Sequence, residues 1–270
     1  MQKDFHFYLT YALARKAGIS DANAKTIAWA DEYTDELTQA DLHGIQTQCA
    51  DLGNWADSEI QLTVLCAFHF LPGDNDQHPW MTTRNSPRAQ ALVRSALESG
   101  DLFRLGTALH SFQDTFSHET FSGWREDLNS CYPWYYLKSG LPNVGHAELL
   151  AAPDVINYVW TDPRTGAVVD NKERAMSAAQ ETYFWLGKLQ HPDHPPSDWD
   201  ALSKELFPMF QLESYDDRIT QICKWSGNSK LDYKPVNSKC QAKPTRASFV
   251  AAASQHLVDA VGSFKGLPWL

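Results

Sequence analysis

Residues 101–118, DLFRLGTALHSFQDTFSH, carry apolar side chains at helical intervals and set His110, Asp114 and His118 four residues apart. At 100° per residue these three fall within about 80° of arc, a single sector of a helix. Leu102, Leu105, Leu109, Phe112 and Phe116 fall near the opposite side, where a core is expected. A solvated ladder sector would carry Lys and Glu. This one carries Phe103 and Thr107, with Phe121 beyond, while Arg104 and Glu119 fall off to one side. The segment therefore reads as a helix buried on two faces. A buried carboxylate between two imidazoles needs partners, and a divalent cation satisfies all three side chains at once.

The chain around this helix has 270 residues, 43% of them hydrophobic, enough to bury a core in one large domain or two small ones. Its net charge of −10 argues against a general nucleic-acid or anionic-membrane surface, because phosphate backbones need clustered Lys and Arg. An acidic protein can still bind a phosphate where something local reverses the sign. No stable nucleic-acid complex is expected. The N-terminal stretch MQKDFHFYLTYALARKAGIS has no cleavage site behind an apolar run, and no window approaches a membrane span. The expectation is a soluble protein, cytoplasmic as written, with export by a route without a cleaved signal left open.

Five cysteines, Cys49, Cys66, Cys131, Cys223 and Cys240, form no CxxC pair. They read as mostly buried free thiols, with Cys223 and Cys240 able to pair in an oxidising compartment.

The periodicity is helical nearly throughout. A first helix covers residues 4–17, and Ser20 caps a second over DANAKTIAWADEYTDEL, whose stripe Ala24, Ile27, Ala28 ends in Asp31 and Asp35. Ser86-Pro87 starts a third, which runs to Gly100, and Asp101 starts the ladder helix. The turn signal TDPRTG between VINYVW and AVVD predicts a small hairpin, residues 172–190 return to helix, and HPDHPPSDWD is the clearest break. Beyond it, two helical segments surround the loop WSGNSKLDYKPVNSKCQAKPT. The architecture expected is an all-α multi-helix bundle with long loops. Residues 1–190 form a metal-binding helical core, and residues 191–270 a C-terminal helical extension packed on the same domain.

Further ligand types lie on other segments: His6 among aromatics, Asp31 and Asp35 on the second helix, His69 in 67-AFHFLPG-73, and His146 and Asp154 in 145-GHAELLAAPD-154. Each alone has a bland explanation, as a packed histidine or a solvated aspartate. Imidazoles and carboxylates spread over four helices of a bundle are, however, how multinuclear sites are built. The segment 131-CYPWYYL-137, with Trp134 and Tyr135, is open to three readings: a wall for an acyl chain, a stacking platform for a base, or core packing.

The order His6, Asp35, His69, His110, Asp114, His118, His146 resembles that of the zinc-dependent phospholipase C and P1-type single-strand nuclease superfamily. MQKDFHFYLTYALARKAG and HSFQDTFSH also resemble an uncharacterised bacterial branch related to it. The resemblance covers roughly residues 1–155. It implies two or three zinc ions, with Asp114 bridging two of them, Asp35, His69 and His110 completing one site, and His118, His146 and Asp154 forming a more exposed one. Asp35 and Asp31 then stand at the reacting centre, Asp31 as an orienting residue or a base. Metals of this kind polarise phosphoryl oxygens and bring a bound water near pKa 7. The implied activity is phosphodiester hydrolysis, phospholipase C-like on a phospholipid or a small phosphodiester, with single-strand nuclease action or a non-catalytic zinc-binding role as alternatives. The family pattern also departs here. It places a processed first residue beside a zinc, whereas Met1 stands five positions before His6, which implies an altered or empty third site. A His-x3-acid pair would need an acid at Leu150, so Asp154 or, second, Glu148 takes that role.

Overall fold

The computed structural model describes residues 1–38, 45–49, 55–131, 142–193, 198–235 and 243–268, and these are mostly helical. Helix α1 opens as a π-helical segment, Asp4–Leu9, and continues as an α-helix over Thr10–Lys16. Helix α2, Asp21–Tyr33, starts where the Ser20 hydroxyl accepts from the Asn23 N–H. It stops before Asp35, short of the end expected from periodicity. The Thr34 hydroxyl donates back to the Ala30 carbonyl, and the next amides tighten into i→i+3 turns, Thr34 to Asp31 and Asp35 to Glu32. Asp35 thereby leaves the helix.

Helix α3 begins at Ser58–Ile60 and runs on as a second π-helical segment, Gln61–His69. His69 is its last helical residue. Helix α4, Pro87–Ser99, and helix α5, Leu102–Ser117, start at the caps expected, Ser86 and Asp101. The predicted hairpin pairs β1, Val159–Thr161, with β2, Val168–Asp170, antiparallel, Trp160 opposite Val169. Helix α6, Asn171–Gln190, follows. Where one helical segment was expected before the loop near residue 230, there are two, α7, Trp199–Phe210, and α8, Tyr215–Trp225. Helix α9, Lys243–Ser263, comes last.

The ladder helix α5 is the axis of the molecule. Every residue from Leu105 to Ser117 is buried, and α2, α3, α4, α6 and α9 all pack against it. The approach of α2 depends on Gly106: a Cβ there would lie 2.3 Å from the Ile27 carbonyl oxygen and 2.7 Å from the Ala30 Cβ. The bare backbone lets α2 close on α5, and Asp31 comes to rest beside His110.

Residues beyond 190 share this core. Leu206, Phe210, Ile222 and Phe249 are as fully buried as Phe5 and Phe112, in one continuous cluster. Arg218 of α8 reaches Asp4 of α1 at 2.6 Å, both buried, and this pins the N-terminal π-helical segment in place. Among the described residues, no helix is long and apolar enough to cross a membrane.

Candidate metal centre

Five imidazoles and four aspartates converge where α1, α2, the end of α3, α5 and the 146–154 turn meet. Their ligand atoms fall into three neighbouring groups: His6 with His110 and Asp114, Asp35 with His69 and Cys49, and His118 with His146 and Asp154. Within each group the atoms lie within 4.8 Å of one another, close enough for one ion to reach all three. Both π-helical segments end up here, one carrying His6 and the other His69. The extra residue of a π turn re-aims the side chains that follow, a device that recurs at functional sites.

The two oxygens of Asp114 serve different neighbours. Oδ1 lies 3.3 Å from His6 Nε2 and 2.5 Å from the Met1 amino nitrogen, while Oδ2 lies 3.2 Å from His69 Nδ1 and 3.4 Å from His110 Nε2. The Met1 nitrogen is also 3.2 Å from Asp154 Oδ1, which ties the third group to the first two. In that third group Asp154 stands 3.1 Å from His118 Nε2 and 3.3 Å from His146 Nε2.

The far side of each ring explains its near side. His69 Nε2 donates to the Thr47 carbonyl at 2.7 Å, His118 Nδ1 to the His69 carbonyl at 2.7 Å, and His146 Nδ1 to the Leu150 carbonyl at 2.8 Å. A carbonyl can only accept, so these tautomers are fixed, and the inward nitrogen of each neutral ring carries a lone pair. His6 Nδ1 donates to Gln113 Oε1 and lies 2.9 Å from Asp31 Oδ1, and His110 Nδ1 faces the same Asp31 oxygen at 3.4 Å. Asp31, fully buried, therefore orients two rings, and Thr10 holds its other oxygen at 2.8 Å. Leu150 is at φ 54° and ψ −129°, a costly backbone for a residue with a side chain, and this turns its carbonyl toward His146. A Cβ on Gly145 would overlap the Phe70 ring, which stacks on His118 at 4.4 Å.

Inward lone pairs facing carboxylates are stabilised by positive charge between them. Burial and the His6 charge oppose protonation of His110, yet Asp35 and Asp114 lift it to about 9. Burial and the Met1 ammonium likewise oppose charging His6, and Asp31 and Asp114 outweigh them. Burial works against the Asp114 carboxylate too, but His118, Met1 and His110 hold it well below the usual range, and Asp154 is depressed in the same way by Met1 and His146.

The profile of a family of unknown function, DUF6765, matches residues 1–262. The chain belongs to that family. No curated protein and no solved structure matches it. The DUF6765 match spans all three ligand groups.

In this DUF6765 chain the eight expected ligand positions, His6, Asp35, His69, His110, Asp114, His118, His146 and Asp154, lie in one connected cluster. Glu148, the second choice for the last acid, instead accepts from the Cys131 N–H at 2.7 Å, while Asp154 faces the two histidines. Asp114 Oδ1 faces His6, while Oδ2 faces His69 and His110 and lies 3.6 Å from His118 Nδ1. The Met1 amino nitrogen, expected to leave its site altered or empty, sits between Asp114 and Asp154. Trp134, Tyr135 and Cys240 lie outside the described residues.

Three features went unread in the sequence. Cys49 stands with Asp35 and His69. Thr47 and Gln113 orient histidines. His256 of α9 meets the Ser111 hydroxyl at 3.0 Å and the Ala67 carbonyl at 3.1 Å, a satisfied core histidine held at about 4 mainly by burial. Gln113 could have been noticed beside Asp114 in the ladder; 46-QTQC-49 has no helical pattern to flag it. An apolar cavity of about 680 Å³ lined by Leu62, Trp80, Leu257, Val261, Phe264 and Leu267 includes no residue of the cluster, so it is not where the chemistry resides.

Proposed function

We propose that the protein is a metal-dependent phosphodiester hydrolase, phospholipase C-like in action, built on a helical bundle of the zinc-dependent phospholipase C type. The observation that carries this reading is the set of three adjoining ligand groups in which Asp114 faces two at once and every histidine turns one nitrogen inward. Bound divalent ions, zinc first among them, would polarise phosphoryl oxygens and bring a water near pKa 7. Asp114, divided between two groups, would hold one such ion beside His6 and another beside His69.

The cluster has a closed side and an open side. His6, His110 and Asp31 are fully buried, whereas the Asp35 side chain is 32% exposed and those of His146 and Asp154 each 16%. A phosphodiester would enter between Asp35 and the His146–Asp154 pair. Asp31, enclosed and committed to two rings and Thr10, acts as a positioning residue; of its two expected roles the geometry favours this one over a base.

Lipid is favoured over nucleic acid by a group of exposed apolar residues near the 146–154 turn. Leu150, Tyr158, Val159 and Val168 are exposed large apolar residues gathered around one concavity of about 540 Å³. No ligand residue lines this concavity; its link to the cluster is Leu150, whose carbonyl accepts from His146 Nδ1. A net charge of −10 also weighs against a long nucleic-acid substrate.

The test is hydrolysis by zinc-loaded protein of phosphatidylcholine or phosphatidylethanolamine vesicles, of single-stranded DNA and RNA, and of a small chromogenic phosphodiester, with Asp35→Asn as control. Diacylglycerol release abolished in the control supports the proposal. Cleavage of single strands alone would move the assignment to a nuclease-like enzyme, and no turnover of any substrate by fully metallated protein would leave a non-catalytic metal protein.

A further inference from the structure

Cys49 belongs to none of the ligand positions implied by the sequence resemblance, yet its sulfur lies within 4.8 Å of ligand atoms of Asp35 and His69. Its placement is built into the site. The Thr47 carbonyl, two residues earlier, receives the proton of His69 Nε2, and the Thr47 and Gln48 amides both donate to the Leu37 carbonyl, just past Asp35. The same short segment therefore fixes the His69 tautomer, is anchored beside Asp35, and delivers the sulfur between them. His69 is 1% exposed and aims Nδ1 into the group, where among the described residues it meets His110 Nε2 and carboxylate oxygens. Among the described residues Cys49 is the exposed cysteine, while Cys66, Cys131 and Cys223 are buried in the packing.

We propose that Cys49 is a sulfur ligand of the metal held by Asp35 and His69, approaching it from the solvent side. This rests on the metal-binding reading above. Coordination releases the thiol proton to solvent and forms a metal–sulfur bond, with no change of oxidation state. It turns an all-oxygen-and-nitrogen group into a mixed O, N, S group, and a thiolate favours zinc over magnesium, calcium or manganese. It also fills a position on the side by which substrate enters, so a phosphodiester has to displace the sulfur or share the ion with it.

Cobalt(II) substitution tests this directly. Full-length protein, stripped with chelator and reloaded with cobalt, is compared with Cys49→Ser and Cys49→Ala by metal analysis and near-ultraviolet absorption. Circular dichroism verifies the fold, which substitution of this exposed residue leaves intact. The expected result is a thiolate-to-cobalt charge-transfer band in the wild type that is lost in both variants. A second readout is alkylation of Cys49, followed by peptide mass spectrometry, which zinc should slow at least tenfold and chelator restore. Bound cobalt with no charge-transfer band, and alkylation indifferent to zinc, would overturn the sulfur ligand while leaving the metal centre standing. Folded protein that takes up no cobalt would overturn both.

Discussion

His69 Nδ1 and His110 Nε2 stand 3.2 Å apart, each on a ring whose other nitrogen is turned away, to the Thr47 carbonyl in one case and to Asp31 in the other. Two neutral rings so oriented would oppose lone pair to lone pair, with Asp114 Oδ2 a third electron-rich atom 3.2 and 3.4 Å away. Only a proton or a cation makes that arrangement favourable. The protein orients these rings from behind and leaves the charge to be supplied in front, which is how metal centres hold their ligands.

Asp114→Ala removes the carboxylate shared by two groups. The expected outcome is loss of metal together with about 3–5 kcal/mol of stability, the usual scale for breaking one partner out of a buried charged set. Metal analysis and chemical denaturation of the same sample measure both. Full metal content in the variant would remove Asp114 from its shared role.

Asp31→Asn keeps the shape and weakens the acceptor behind His6 and His110. A 10–100-fold loss of metal affinity is expected, the scale typical of such outer partners. Competition against a chromogenic chelator reads it. An unchanged affinity would mean the two rings are held by packing alone.

Acid and base should each destabilise the metal-free protein, through different groups. His110 is raised from 6.5 to about 9, so its contribution is fully present below about 6.5 and is lost as pH rises through 9. Asp114 and Asp154 are depressed, so theirs is present above the unfolded carboxylate range, about pH 4, and is lost on further acidification. Stability without metal should therefore peak between about pH 4 and 6.5 and fall toward pH 9. Zinc affinity should rise over that upper interval, with protons released on binding. Calorimetry in buffers of different ionisation enthalpy measures the release, and binding without it would contradict the protonated cluster.

Gly106→Ala places a methyl group against the Ile27 carbonyl and Ala30. About 1–3 kcal/mol of destabilisation is expected, with weaker metal binding as α2 and Asp31 are pushed from His110. Thermal unfolding with and without zinc separates the two effects. A neutral substitution would show that the crossing is not set by this contact.

Much of the architecture was legible because local signals agree with tertiary context: Ser20, Ser86 and Asp101 cap helices, and TDPRTG turns a hairpin. The ladder was legible because one buried helix supplies His110 and Asp114, with His118 at its C-cap. Asp35 leaving α2 was not, since Thr34 bonding back to Ala30 breaks the period without changing the apolar pattern. The π-helical ends of α1 and α3 were invisible for a related reason, because a five-residue ladder has no residue signature distinct from a helix. Cys49, Thr47 and Leu150 act through non-helical backbone or from outside any periodic element, and sequence gives such positions no pattern.

The proposed function stands or falls with the cluster being a multinuclear metal centre. Native mass spectrometry of the zinc-supplemented wild-type protein, at neutral pH and without chelator, tests it most directly. Two or three zinc ions on each folded chain are expected, reduced in Asp114→Ala. A folded wild-type chain at its metal-free mass would contradict that expectation.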